Sequence, residues 1–466
     1  MTRERLVPLI VAVALFMENM DSTVIATSLP AIAVDIGSNP LALKLAVTTY
    51  LLALAIFIPA SGWVADRFGA RVIFRAAIAV FMIGSLGCAF AQALDHFVIA
   101  RFLQGMGGAM MAPVGRLVLV RSVDKRRLVD AMTWLTMPAL IGPLLGPPLG
   151  GFITTYFSWH WIFIINIPIG LVGIVLVTRY IENIRADVLE PFDAVGTVLA
   201  GIGIGGVAFG LTAVGLKNFL PPSVLAAMIA GGACFIVIYM LHARRTPAPV
   251  MDLSLFKLPS FRAGVAGGFL FRVGAGALPF LLPMMLQVGF HKTPFQSGLI
   301  TFATAVGAMS MKTAVPMLLR RFGYRNVLTY NAVVASAMVA ACALFTASTP
   351  VIAMLAILFA GGFFRSLQFT SAMTIGFAEI EPARMSRATS LAAVSQQLSV
   401  SSGVAIGALA VELVVSFRHE SAIAENDFAP AFLLVGGIAA LSTFMFARMP
   451  ANAGDELTGP RGRTKD

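Results

Sequence analysis

Long apolar runs, separated by short polar or Pro/Gly-rich breaks, occupy almost the whole chain. The hydrocarbon core of a bilayer is about 30 Å thick, so a helix that crosses it needs roughly 20 apolar residues. The runs reach that length, and the pattern therefore predicts an all-α polytopic membrane protein with about 14 transmembrane helices. We place the predicted spans at 6–29, 43–65, 72–93, 97–119, 133–157, 160–181, 193–215, 222–243, 262–289, 295–318, 326–347, 350–376, 387–415 and 428–448.

Lysine and arginine residues are distributed unevenly between the two sets of breaks. The side of the membrane whose short loops carry more Lys and Arg is the cytoplasmic side. One set of breaks holds both chain ends and basic clusters such as 125–127 and 461–465, whereas the other holds only Lys44, Lys217, Lys292 and Arg418. We therefore predict that both termini are cytoplasmic, which requires an even number of spans.

The composition supports the same class of protein. Of the 466 residues, 58% are hydrophobic and 12% are charged, whereas soluble proteins carry about 25% charged residues. This difference excludes a soluble enzyme, a disulfide scaffold and a disordered chain. The net charge of +11 lies in the loop clusters, a distribution that follows from membrane topology, and we predict no nucleic-acid partner.

Neither cysteines nor nucleotide-binding motifs indicate a cofactor. Cys88, Cys234 and Cys342 stand alone within apolar runs, so we predict buried free thiols without a disulfide or metal site. The sequence contains no Walker A, His-Glu-x-x-His or Cys-x-x-Cys motif. We therefore predict no cofactor and no metal.

The first apolar run has some features of a signal peptide. Arg3 and Arg5 precede it, and Ala31-Ile32-Ala33 imitates a cleavage site. The acidic Glu18 and Asp21 inside the run, together with the many spans that follow, instead predict a retained first helix.

A short basic sequence occurs twice at corresponding positions. Residues 65–71 follow the second predicted span, and residues 319–325 follow the second of the last six. Such a repeat is typical of secondary transporters built from duplicated halves. We predict an N-terminal six-helix bundle over 1–185, an inserted pair of helices with linkers over 186–250, a C-terminal six-helix bundle over 251–450 and a cytoplasmic tail over 451–466.

Three charged residues within the spans indicate a proton-coupling site. Glu18 and Asp21 lie three residues apart, on one face of the first helix. Arg101 lies at a similar depth in the fourth, so it can pair with Asp21. A carboxyl group that moves between dry and wet surroundings binds and releases a proton. A static ion pair that fixes helix packing is the alternative.

Two further arginines lie well inside the spans. Arg272 and Arg365 can face a central cavity and attract an anionic substrate, or they can bind backbone carbonyls at a kink. In the fifth span, residues 142–151 are rich in glycine and proline, which favours a hinge or a tight seal between helices.

Five motifs together resemble the major facilitator superfamily. The similarity is to its 14-helix drug:proton antiporter family of EmrB and QacA type, within an MdtD-like subgroup, and it covers nearly the whole chain. The motif-bearing residues are Asp21-Ser22-Thr23-Val24, Gly62 with Ala65, Asp66, Arg67, Gly69 and Arg71, Arg101 with Gln104, Gly105 and Gly107, Gly142 with Gly146, Pro147, Gly150 and Gly151, and Trp159-His160-Trp161 with Asn166 and Pro168.

The resemblance implies roles for these residues. Gly62, Asp66, Arg67, Gly69 and Arg71 would form a cytoplasmic gate. The motif of Arg101 and Gln104 is associated with proton transfer, and Gln104, Arg272 and Arg365 are candidates to line a substrate cavity. Gly142, Gly146, Pro147, Gly150 and Gly151 would form the antiporter motif that supplies the hinge or seal.

Together these patterns predict a proton-coupled antiporter of the bacterial inner membrane that exports small organic compounds, as in multidrug resistance. Asp21 would carry the proton, Glu18 would assist, and Arg101 would modulate the proton affinity. An exporter of organic anions or metal chelates, with Arg272 or Arg365 as counter-ion, is the first alternative. A membrane sensor or enzyme without transport is the second. A periplasmic adaptor and an outer-membrane channel are conceivable partners.

Overall fold

The computed structural model describes residues 3–122, 128–183, 185, 191–216, 219–381, 384–419, 423–450 and 452–458, and for 3–5, 120–122 and 128–140 it describes the backbone only. The basic clusters 125–127 and 461–465, as well as Lys217, entered the predicted orientation and lie outside the described residues. Most of the predicted tail 451–466 also lies outside them.

The regular structure of the described residues is helical, and we number its fourteen long helices in chain order. The first eight are α1 (Arg3–Val24), α2 (Lys44–Phe68), α3 (Ala70–Ala89), α4 (Leu94–Ser122), α5 (Leu128–Tyr156), α6 (Asn166–Tyr180), α7 (Ala194–Ala213) and α8 (Pro222–Ala243). The other six are α9 (Gly268–Met284), α10 (Pro294–Lys312), α11 (Tyr324–Ala341), α12 (Val351–Gly376), α13 (Met385–Phe417) and α14 (Phe428–Ala447).

These helices agree with the spans predicted from the apolar runs. Within the described part of the chain, twelve helices are long and apolar enough to cross a membrane, and α10 with its bent continuation is a thirteenth. The remaining helix, α5, is 29 residues long and apolar in sequence. The predicted all-α polytopic fold class is therefore confirmed.

Two spans differ in detail from the prediction. The span at 295–318 is broken, because α10 and the helix Val315–Phe322 meet at 58°. Pro316 stands at the start of the second piece, where its ring cannot continue the hydrogen bonds of the first. The first span ends in a short turn, Ile25–Thr27, before a separate helix, Leu29–Asp35, that begins with Pro30.

The chain forms two compact units. The first contains Met1–Val250 with Lys292–Leu299, and the second contains Met251–His291 with Ile300–Asp466. In the first unit α1 packs against α5, and α4 packs against α2 and α3. In the second unit α9 packs against α13 and α14, and α11 packs against α12 and α14.

The repeated basic sequence forms the same turn in both units. Gly69 joins α2 to α3 with φ 99°, and Gly323 joins Val315–Phe322 to α11 with φ 73°. Each glycine N–H donates at 2.9 Å to the carbonyl four residues earlier, of Ala65 or Leu319. A positive φ is readily adopted only by glycine, so the duplicated glycine has a physical cause.

The inserted helices α7 and α8 pack against each other, and α7 also packs against α2 of the first unit. Only 11% of the α8 span is buried. Cys234 lies on this helix and is exposed, whereas Cys88 and Cys342 are buried. The prediction of three buried thiols was therefore wrong for Cys234, because most of α8 has no protein neighbour.

Candidate functional site

A sealed ion pair joins α1 to α4 in the first unit. Arg101 Nη1 lies 2.7 Å from Asp21 Oδ2, and both side chains are 1% exposed. The Arg101 guanidinium also lies over the ring of Tyr50, 4.3 Å from its centroid. A buried arginine is stabilised by such a carboxylate and by an aromatic face, so α1, α2 and α4 all hold this charge.

Three donors converge on the Asp21 carboxylate. Arg101 binds Oδ2, while Gln104 Nε2 and Asn166 Nδ2 donate to Oδ1 at 2.8 and 3.0 Å. Arg101 also donates to Gln104 Oε1 at 2.6 Å. Asn166 donates to Ser85 Oγ at 3.0 Å. Since a carboxylate that accepts several hydrogen bonds is stabilised in its charged form, Asp21 is ionised in this arrangement.

Close helix contacts bring these side chains together. The positions where a Cβ would stand on Gly84 and Gly105 lie 2.5 Å from Gln104 N and 2.6 Å from Tyr50 O. Real Cβ atoms do not approach other atoms so closely, so only glycine permits these crossings of α3, α4 and α2. The crossings set the distance at which Arg101 and Gln104 reach α1.

Glu18 lies on the same helix as Asp21 but differs in its surroundings. It is half-buried, and its Oε2 is buried without a hydrogen-bond partner among the described residues. The Tyr50 hydroxyl is buried and equally without a partner. The structure therefore separates the two acids of α1 into a fully bonded carboxylate and one with an unsatisfied oxygen.

The antiporter-motif glycines of α5 form one face against α1. A Cβ on Gly142 would stand 3.1 Å from Met20 N, and one on Gly146 or Gly150 would overlap with Thr23 or with Val24 O. Gly151 points elsewhere, toward Pro294. These residues follow one another at four-residue intervals, so α5 packs on α1 with almost no space between the backbones. Pro147 also joins this contact, because its carbonyl accepts a hydrogen bond from Thr27 Oγ1 at 3.4 Å.

The gate-motif residues surround the turn between α2 and α3. Gly62 and Arg67 are exposed, whereas Asp66 and Arg71 are half-buried. Gly69 is in contact with the Asn183 side chain. Asn183 Oδ1 accepts a hydrogen bond of 3.4 Å from Val72 N. The turn is thus tied to the segment after α6.

In the second unit, Arg272 and Arg365 lie within α9 and α12. Arg272 is 8% exposed, and its guanidinium lies 5.8 Å from the ring centroid of Phe369. Arg365 is half-buried and stands one helical turn before Phe369 on α12. Among the described residues, neither arginine has a salt bridge, so both differ from Arg101 of the first unit.

Sequence reasoning missed the roles of Tyr50 and Ser85 in this site, and it did not place Asn166 beside Asp21. Asn166 belongs to a motif that the sequence shows, but its partner lies 145 positions away. No local pattern marks Tyr50 or Ser85, because each is a single polar residue in an apolar run.

The long apolar helices and the buried charges within them define a polytopic membrane transporter. Residues 11–403 match the family model described as Major Facilitator Superfamily. The chain belongs to the Major Facilitator Superfamily, and it is a transporter rather than an enzyme. The resemblance drawn from its motifs is confirmed.

Two relatives are provisionally named multidrug resistance protein MdtD. The protein from Salmonella heidelberg (strain SL476) is 38% identical over 450 residues, which cover 95% of this chain and 94% of the relative. The protein from Serratia proteamaculans (strain 568) is 37% identical over 456 residues, with 95% and 93% covered.

Solved structures show the same fold at low sequence identity. The POT family transporter PepTSo aligns with a TM-score of 0.68 and 15% identity over 95% of this chain and 97% of that one. The nucleoside transporter NupG aligns with a TM-score of 0.60 and 15% identity over 96% and 98%.

Proposed function

We propose that the protein is a proton-coupled antiporter that exports small organic compounds across the bacterial inner membrane by alternating access. The observation that carries the proposal is the sealed network of Asp21, Arg101, Gln104 and Asn166 in the first unit. The names of the MdtD relatives support a multidrug-type substrate range.

Protonation of Asp21 would change this network more than any other single event. A neutral carboxyl group no longer balances the Arg101 guanidinium, and a buried charge without a partner costs several kcal/mol. The helices must then separate until Arg101 meets water or another partner. We propose that this links proton binding at Asp21 to the change of access, with Arg101 modulating the proton affinity and Gln104 orienting the carboxylate.

Glu18 assists in this proposal. Its half-buried position and unsatisfied Oε2 suit a group that exchanges a proton with the transport path. Arg116 lies close enough to act on it electrostatically.

The motifs around Gly69 and on α5 supply the moving parts. We propose that Asp66, Arg67 and Arg71 close the cytoplasmic gate, with Gly62 and Gly69 shaping the segment that carries them. The contact of Gly142, Gly146 and Gly150 with α1 supports a seal between α1 and α5 rather than a hinge, with Pro147 and Gly151 in the same segment.

The remaining parts of the proposal concern organisation. We propose two six-helix bundles, 1–185 and 251–450, with the pair of helices in 186–250 inserted between them and both termini in the cytoplasm. A periplasmic adaptor and an outer-membrane channel would complete export through a double envelope.

A second candidate function is the export of organic anions or metal chelates. The observation that favours it is the absence of a salt bridge to Arg272 and Arg365 among the described residues. Unpaired guanidinium groups within a membrane attract carboxylates. In this case Arg272→Ala abolishes the transport of benzoate and leaves the transport of tetraphenylphosphonium unchanged.

The test uses everted membrane vesicles with an acid interior. Tetraphenylphosphonium or benzoate is added, and collapse of the proton gradient is followed for wild type, Asp21→Asn and the control Asp95→Asn. Asp95 is an exposed acid in the first turn of α4. Collapse that Asp21→Asn abolishes and Asp95→Asn retains supports the proposal. Intact proton-driven transport by correctly folded Asp21→Asn contradicts it.

A further inference from the structure

We infer that the hydroxyl group of Tyr50 relays a proton between Glu18 and Asp21. This inference rests on the proposed proton coupling and adds to it a residue that lies on α2, outside the motifs. Its basis is the position of two unsatisfied buried oxygens on either side of one glycine, next to the sealed ion pair.

The Tyr50 hydroxyl requires an explanation. Tyr50 is 2% exposed, and its Oη has no hydrogen-bond partner among the described residues. A buried tyrosine hydroxyl usually has a partner, and leaving one unsatisfied costs about 1–3 kcal/mol. Such an oxygen is retained where it has a partner in another state of the protein.

Glu18 is the nearest group that can supply that partner. The position where a Cβ would stand on Gly108 lies 3.1 Å from Tyr50 Oη and 3.6 Å from Glu18 Cγ. The hydroxyl and the carboxyl-bearing chain therefore flank the same glycine. Because Gly108 has no side chain, rotation of the Glu18 side chain can bring Oε2 to the Tyr50 hydroxyl.

Tyr50 is also in contact with the ion pair. Its ring lies under the Arg101 guanidinium at 4.3 Å, and Arg101 binds Asp21 at 2.7 Å. The charged groups that act on Tyr50 are Glu18 and Asp21 from α1 and Arg101 from α4. On the α3 side the titratable neighbour is Cys88, whose Sγ contacts Gln104 Oε1 at 3.7 Å.

The transfer conserves protons and charge. Protonated Glu18 gives its proton to Tyr50 Oη while the original hydroxyl proton of Tyr50 passes, directly or through one water, to the Asp21 oxygen that Arg101 leaves. One O–H bond breaks on Glu18 and one on Tyr50, and one forms on Tyr50 and one on Asp21. Tyr50 ends neutral, and the negative charge has moved from Asp21 to Glu18, within electrostatic range of Arg116.

The test is Tyr50→Phe in purified protein reconstituted into proteoliposomes. This change keeps the ring under Arg101 and removes only a hydroxyl that makes no hydrogen bond in the structure. Tyr324→Phe, at a tyrosine that is 3% exposed in the second unit, is the matched control. Two rates are measured with radiolabelled tetraphenylphosphonium or benzoate, whichever wild type transports: efflux driven by a pH gradient, over a range of pH values, and exchange at equal pH.

We expect Tyr50→Phe to lower gradient-driven efflux at least tenfold and to shift its pH profile, while exchange stays within twofold of wild type. Wild-type efflux and pH profile in Tyr50→Phe overturn the relay and leave the proposed function intact. Equal losses of exchange and efflux also overturn it, because the hydroxyl then serves folding or substrate binding. Absence of gradient-driven efflux in wild type contradicts the proposed function itself.

Discussion

Arg101 and Asp21 form an ion pair that is closed to solvent, with 2.7 Å between Nη1 and Oδ2 and 1% exposure on each side. Glu18, three residues before Asp21 on the same helix, has no such partner. A proton that arrives in the first unit therefore meets two acids in very different states. This difference is the physical basis of the coupling proposed above.

Removing one member of the ion pair should destabilise the protein strongly. Arg101→Gln leaves the Asp21 carboxylate buried without its balancing charge, and we expect the free energy of unfolding to fall by about 3–5 kcal/mol. Thermal or denaturant unfolding in detergent measures this change. The double variant Asp21→Asn/Arg101→Gln should recover part of the loss, whereas Arg244→Gln, at an exposed position, should have little effect. Equal stability of all four proteins would show that the pair does not hold the helices.

The glycine face of α5 should tolerate no added methyl group. A Cβ on Gly150 would overlap with Val24 O and stand 2.8 Å from Thr27 Oγ1. We expect Gly150→Ala to lower the free energy of unfolding by about 1–3 kcal/mol. Gly231→Ala on α8 is the control, since no atom lies within 4 Å of its Cβ position and alanine stabilises a helix by about 0.5–1 kcal/mol. Opposite signs for the two variants are expected in unfolding measurements, and a neutral Gly150→Ala would contradict the tight contact.

The two repeated turns should respond alike to alanine. Gly69 and Gly323 have positive φ values of 99° and 73°, which cost a residue with a Cβ roughly 1–2 kcal/mol. Gly69→Ala should be the more damaging change, because its Cβ would also meet Asn183. Gly62→Ala, with no atom within 4 Å, controls for a loss of glycine in the same motif. Differential scanning fluorimetry compares the three, and the order fails if Gly62→Ala is the least stable.

The link between Asp252 and Arg384 should make the second unit sensitive to acid. Burial on its own would raise the pKa of Asp252, but hydrogen bonds from Ser254 and Arg384 outweigh it and lower the pKa below its usual value. The Arg384 Nη2–Asp252 Oδ2 distance is 2.6 Å. A carboxyl group with a lowered pKa stabilises the fold above its unfolded pKa of about 4, and this stabilisation is lost as the pH falls through the folded value.

The measurement is thermal stability from pH 7 to pH 3. Wild type should lose more stability below about pH 4 than Asp252→Asn, which cannot titrate at this position. Parallel curves for the two proteins would assign the acid sensitivity to other carboxylates.

Much of the architecture follows from local properties of the chain. An apolar run long enough to cross a bilayer forms a helix whatever its neighbours are, because lipid leaves no other partner for the backbone. The fourteen spans and the turns at Gly69 and Gly323 could therefore be predicted. The depth of Asp21 and Arg101 within their spans likewise allowed the pair that the structure contains.

Tertiary structure decided which acid of α1 is paired. Glu18 and Asp21 share one helix face in sequence, but Gln104 and Asn166 reach only Asp21, from positions 83 and 145 residues away. Their reach depends on the close crossings at Gly84 and Gly105, and no local pattern encodes a distance between helices. The unpaired state of Arg272 and the neighbourhood of Tyr50 and Glu18 have the same origin. Helix formation depends on the residues of one segment, whereas the partner of a buried polar group is set by side chains that only packing brings together.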